Sequence, residues 1–213
     1  MTDLNVKTCI EYFDRTWSDL MTKQDQFPLQ DYGERSMLTT WKVSYDQVLR
    51  RSETAAWLLS LWDFFHHDDF WYELLAKSGD VPHNLEKGEE FETPAWLAEL
   101  SGSELEFSST MGLLNAYSLA GSTGGGSYTM HPVLHRWSRS FSLDTDAVPL
   151  ISVSICVLAS ASPSGDDATS WQLERRVLQH VLHACNELRV MRIHEFWRHP
   201  ARWTSQERQR YRW

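Results

Sequence analysis

Tyr117-Ser118-Leu119-Ala120-Gly121-Ser122-Thr123-Gly124-Gly125-Gly126-Ser127-Tyr128-Thr129-Met130-His131-Pro132-Val133-Leu134-His135-Arg136-Trp137 is the stretch that decides the fold. Two short runs, 117–120 and 127–130, flank the glycine-rich residues 121–126. Glycine adopts positive φ without steric cost, so the segment reads as a β-hairpin. Pro132 suits a first helical turn, which places a helix over 132–141 directly after it.

On both sides of this hairpin the pattern is helical. Upstream, Ser103 is the expected cap of a helix that carries Leu105, Phe107, Met111 and Leu114 and runs to Tyr117. Thr93 and Pro94 open a helix with Trp96, Leu97 and Leu100, after an acidic, breaker-containing loop at 81–92. Asp68 or Asp69 is the expected cap of a short helix through Leu75. Ser52 caps a helix over 53–65, whose density of Ala, Leu, Trp and Phe marks it as central. Thr39 or Thr40 opens a helix through Arg50 that buries Trp41, Val43 or Ser44, and Val48. Further upstream, Val6, Cys9, Ile10, Phe13, Trp17, Leu20 and Met21 share one face of an amphipathic helix. Downstream, 148–160 and 171–190 read as two antiparallel helices joined by a linker rich in Ser, Pro, Gly and Asp.

The expected fold class is therefore mainly α: a winged-helix domain with a small β-hairpin, flanked by helices. The chain divides into the end of a helical subdomain at 1–35, a winged-helix subdomain at 36–143, a helical pair at 144–190 and a basic tail at 191–213.

Composition bounds the function. The chain has 213 residues, enough for one good-sized domain or two small ones. Eleven Trp need a core or an interface to hide in. The formal net charge of −9 repels nucleic-acid phosphates except where basic residues segregate, as they do from Arg189 to Trp213, with seven Arg against two Glu. Cys9, Cys156 and Cys185 are far apart and form no CxxC, which fits buried thiols in a reducing, cytoplasmic setting. The longest apolar run, 147–161, is too short to span a bilayer and reads as a buried helix.

Several chemistries find no support. Residues 121–127 have glycines at P-loop spacing, but Ser127 stands where the lysine must be, and the run follows an edge strand rather than opening a helix. No Walker B carboxylate or GxSxG is present, so no catalytic residue is assigned. His66-His67-Asp68-Asp69 looks metal-binding, but sequence neighbours on a helix point different ways, and a capped helix end explains the run better. His180 and His183 share a helix face without a third ligand, so no metal is expected there either. A DNA-reading winged helix needs cations on its recognition helix, whereas residues 103–117 carry Glu104 and Glu106 and no Lys or Arg.

Between Ser36 and Trp137 the chain resembles a known family. Ser36-Met37-Leu38-Thr39-Thr40-Trp41-Lys42-Val43-Ser44-Tyr45 is similar to the opening of the winged-helix part of NB-ARC proteins, and residues 55–65 resemble the helix that follows it there. Tyr128-Thr129-Met130-His131-Pro132-Val133-Leu134-His135-Arg136-Trp137 resembles the segment of fungal NLR-like STAND proteins that corresponds to the MHD motif. Residues 171–188 look like the start of the tetratricopeptide-type repeats that follow in that family.

The resemblance implies a regulatory segment of a nucleotide switch in non-self recognition or cell-death signalling. His131 would hold the β-phosphate of ADP bound on a separate nucleotide-binding half, with Met130, Pro132 and Trp137 as supporting motif residues. Pro132 stands where the family has Asp, removing that carboxylate from the closed state. ADP or ATP enters only through the nucleotide-binding half. The implied partners are that half, a helical repeat region and like subunits on activation, with neither membrane nor nucleic acid. Two alternatives stay open: a helical protein-interaction domain without a nucleotide role, and a DNA-binding winged helix.

Overall fold

Ser52 begins the central helix as expected, its hydroxyl accepting a hydrogen bond from the Ala55 amide at 3.1 Å. The computed structural model describes residues 32–80, 93–142, 147–163 and 170–198. The expected helix at 6–20, the loop at 81–92 and the tail beyond Arg198 lie outside the described residues. The chain divides into two compact units, Met1–Thr40 and Trp41–Trp213. The described part of the first is helical over 32–40, and apart from the helix that includes these residues everything below concerns the second.

The described residues are mainly α-helical, with a small antiparallel sheet built on the hairpin. Helix α1 is Tyr32–Arg51 and α2 is Glu53–Trp62. Strand β1, Phe70–Trp71, leads straight into α3, Tyr72–Ala76, and a 3-10 turn, Lys77–Asp80. Helices α4, Ala95–Gly102, and α5, Glu104–Ala116, precede β2, Gly121–Gly124, and β3, Ser127–Thr129. Helices α6, Pro132–Ser142, α7, Ala147–Ala161, and α8, Ser170–Arg198, complete the described residues.

Helix α2 is the hub. Ala55, Ala56, Leu58, Leu59, Leu61 and Trp62 are all buried, because it packs against α4, α5, α6 and α7. Trp62 stacks on Phe70 with ring centroids 4.5 Å apart, and Phe70 in turn meets Phe65 at 5.7 Å and Phe107 at 6.1 Å. These rings tie α2, β1 and α5 into one aromatic core. Ser103 caps α5 as expected, accepting from the Glu106 amide. The apolar run at 147–161 is the helix α7, with Val153, Val157 and Leu158 buried.

Four local expectations shift. Helix α1 starts well before Thr39, and Val43 is 55% exposed while Val48 is fully buried. The first strand of the hairpin is 121–124 and not 117–120, since Tyr117 caps α5 and Leu119 folds back onto the Leu114 carbonyl. The turn is Gly125-Gly126, with Gly124, Gly125 and Gly126 all at positive φ. Pro94 rather than Thr93 occupies the cap position of α4, and its carbonyl accepts from the Leu97 and Ala98 amides.

The fourth shift adds a strand. Phe70 pairs with Tyr128 and Trp71 with Ser127, so the sheet order is β1-β3-β2. Asp68 and Asp69 therefore do not cap a helix. Trp71 occupies the cap position of α3, without a side-chain hydrogen bond.

Candidate functional site

Helix α2 ends at Trp62, and the chain turns through residues 63–69 before entering β1. Asp69 sits at φ 59°, a left-handed conformation that Asp tolerates better than most residues. The turn is pinned from several sides. The Trp62 indole N–H donates to the His66 carbonyl at 3.1 Å, and the His66 amide donates to His180 Nδ1 at 3.1 Å. The Met130 amide donates to the His67 carbonyl at 2.8 Å. The Thr129 hydroxyl donates to the Asp68 carboxylate, which with the His67 and His66 rings nearby holds its carboxyl below the usual range although burial opposes this.

Helix α8 docks on this turn with Arg176, His180, His183 and Glu187, at helical spacing on one face. Arg176 bonds both carboxylate oxygens of Asp69 and stands 3.9 Å over the Trp71 ring. His180 is fully buried and accepts at Nδ1, so its Nε2–H is the donor to the Asp69 carbonyl at 3.1 Å. His183 Nε2 lies 3.2 Å from the Asp63 carbonyl. Glu187, 2% exposed, is ion-paired with Arg139 of α6.

His135 of α6 completes the cluster. Its Nε2 faces the carbonyls of Trp62 at 3.2 Å and Phe65 at 3.0 Å, which fixes the proton on that nitrogen. The ring centroids of His135 and His183 are 5.2 Å apart, and those of His67 and His135 6.1 Å. Burial pushes His135, His180 and His183 down to about 4, and the neighbouring cation or imidazolium charges act the same way. The three rings are therefore neutral at pH 7, with Nε2–H groups committed to backbone carbonyls. They are fasteners between helices, not bases waiting for a substrate.

The expected site residues are placed as follows. His131 is exposed at the start of α6, where its Nδ1 accepts from the Val133 amide at 3.2 Å. A neutral imidazole that accepts at Nδ1 carries its proton on Nε2, so His131 presents an N–H at the helix N-terminus. Pro132 is the first residue of α6 and is exposed. Met130 is buried beneath it, and Trp137 is buried against Trp41 with ring centroids 5.9 Å apart. Pro132 thus adjoins His131 at the surface, while Met130 and Trp137 are both buried. The P-loop-like glycines lie on the hairpin, Gly121 and Gly124 within β2 and Gly125 and Gly126 in the turn before β3.

The histidine cluster was not foreseen from sequence. Its members lie in separate windows at 66–67, 135 and 180–183, and only the fold of α8 onto the turn unites them. The usable signal was the concentration of His and acidic residues beside helix ends. Compared with known proteins, the chain matches no protein-family model, no curated protein and no solved structure.

Proposed function

We propose that this chain is the regulatory winged-helix segment of an NB-ARC-type nucleotide switch of the NLR-like kind, and that it favours the ADP-bound state through His131. The observation that carries this reading is the exposed His131, held by its own Nδ1 bond to Val133 at the N-terminus of α6, directly after the hairpin. An Nε2–H beside the positive end of an eleven-residue helix suits a phosphate oxygen.

Two further features support it. The order helix, strand, three helices, hairpin, with the lone strand added to the far strand of the hairpin, resembles a winged helix that carries one extra short helix after its first strand. Helix α5, in the place of a recognition helix, exposes Glu104, Leu105 and Glu106, which disfavours a phosphate backbone. In this reading ATP hydrolysis belongs to the nucleotide-binding half, and the segment acts in the cytoplasm with that half, with a helical repeat region and with like subunits.

A second reading, a helical protein-interaction domain without a nucleotide role, is favoured by Trp171, Leu178 and Leu182, which form an exposed apolar stripe on α8.

The test is calorimetry of ADP binding by a nucleotide-binding half from an NB-ARC protein, alone and mixed with this chain. The reading requires tighter ADP binding in the mixture and loss of that gain with His131→Ala. No gain from the wild-type chain rejects the nucleotide role and leaves the interaction domain.

A further inference from the structure

We propose that His66, His67 and Asp68 form a binding site for a divalent transition-metal ion of the zinc class. The sequence objection to this run was that adjacent residues on a helix diverge. Helix α2 ends at Trp62, however, and these residues lie in the turn beyond it, which gathers their side chains. One ligand atom from each lies within 4.8 Å of the others. The two imidazoles stack with centroids 4.3 Å apart, and His67 Nδ1 is 3.2 Å from the Asp68 carboxylate.

The second observation is at His67. Its Nδ1 is shielded from solvent and makes no hydrogen bond, a cost that coordination would remove. The lone pair of His66 lies at Nδ1, which accepts from the Asp68 amide at 3.2 Å, so ligation by His66 exchanges that contact for the metal. Outer contacts orient the ligands. Thr129 bonds the Asp68 carboxylate, His180 holds the His66 amide, and Met130 and Trp62 hold the His67 and His66 carbonyls.

Two imidazoles and one carboxylate match zinc, and nickel or copper as tighter-binding probes, and leave a further position for water. Two ligands of one tetrahedral ion of this kind stand about 3.4 Å apart, so a pair at the 4.8 Å limit closes by about an ångström or somewhat more on binding, which side-chain rotation in the turn supplies.

The experiment uses the full chain stripped with chelator and titrated with Zn²⁺ and Ni²⁺ by calorimetry. One ion per chain is expected. His67→Ala and Asp68→Asn each weaken it about tenfold or more, and Cys185→Ser leaves it unchanged. Asp68→Asn keeps an oxygen for Thr129, so it separates ligation from folding. Copper added as a probe gives an electron-spin-resonance spectrum coupled to two imidazole nitrogens, and to one after His66→Ala. The proposal is overturned if the stripped chain takes up no stoichiometric ion. It is equally overturned if a folded Asp68→Asn or His67→Ala chain binds as tightly as the parent, or if the copper signal is indifferent to His66→Ala.

Discussion

Arg176 grips Asp69 through a two-pronged contact, Nε to Oδ2 at 2.8 Å and Nη2 to Oδ1 at 2.6 Å, across 107 residues of sequence. The same guanidinium reaches the Ser127 hydroxyl of β3 at 3.0 Å. One side chain of α8 thereby joins the turn after α2 to the sheet. Both partners are about a third exposed, so solvent screens part of the attraction. Arg176→Ala is expected to cost about 1–2 kcal/mol in urea unfolding. Arg176→Lys recovers little of this, because an ammonium cannot reproduce the planar fork or its stacking on Trp71. Full recovery with Lys means that charge alone holds the contact.

Stability depends on pH through His135, His180 and His183. Each has a folded pKa near 4, below its value in the unfolded chain of about 6.5. Between those values the unfolded chain binds protons that the native state refuses. Native stability is thus complete above about pH 6.5 and declines as pH falls toward 4, by up to about 1.4 kcal/mol per pH unit for each histidine. His180→Gln keeps a donor and an acceptor and is expected to flatten the slope by about one proton. Metal-free protein unfolded in urea from pH 7.5 to 4.5 checks this, and a flat profile excludes it.

The Arg139–Glu187 pair is buried chiefly on the glutamate side. Arg139→Ala strands that carboxylate, and the expected loss is about 3 kcal/mol. The double variant Arg139→Met, Glu187→Leu regains most of it, since two apolar side chains of similar volume carry no desolvation penalty. A double variant as unstable as the single one shows that the pair itself is a net source of stability.

Ser52→Ala removes the hydroxyl that caps the central helix and is expected to lower stability by about 1 kcal/mol. Ser52→Asp retains the cap. Thermal unfolding of both variants beside the parent separates loss of the cap from loss of the serine as such.

The helices were largely legible. Ser52 and Ser103 announced their caps, the apolar run at 147–161 announced α7, and Pro132 announced α6. The hairpin was legible as an element but not in register. Its first strand is Gly-Ser-Thr-Gly, in which only Thr123 favours a strand, held there by pairing with β3. Strand β1 was hidden for a related reason: Phe70-Trp71 is too short for any periodicity, and only Tyr128 and Ser127 across the sheet define it. The aspartates beside it read as caps because local sequence holds no sign of Arg176. His131 is singled out by motif likeness alone. The buried histidines needed the long-range fold of α8, which no local window contains.

The hairpin tip has a practical consequence. Gly124, Gly125 and Gly126 have open space where a side chain would stand, and residues 122–126 are exposed. A short epitope spliced between Gly125 and Gly126 on flexible spacers would project away from the buried rings, leaving β3 and the start of α6 untouched. The tip is thus a ready address for a fluorophore or an affinity handle, a few residues before His131 in the sequence.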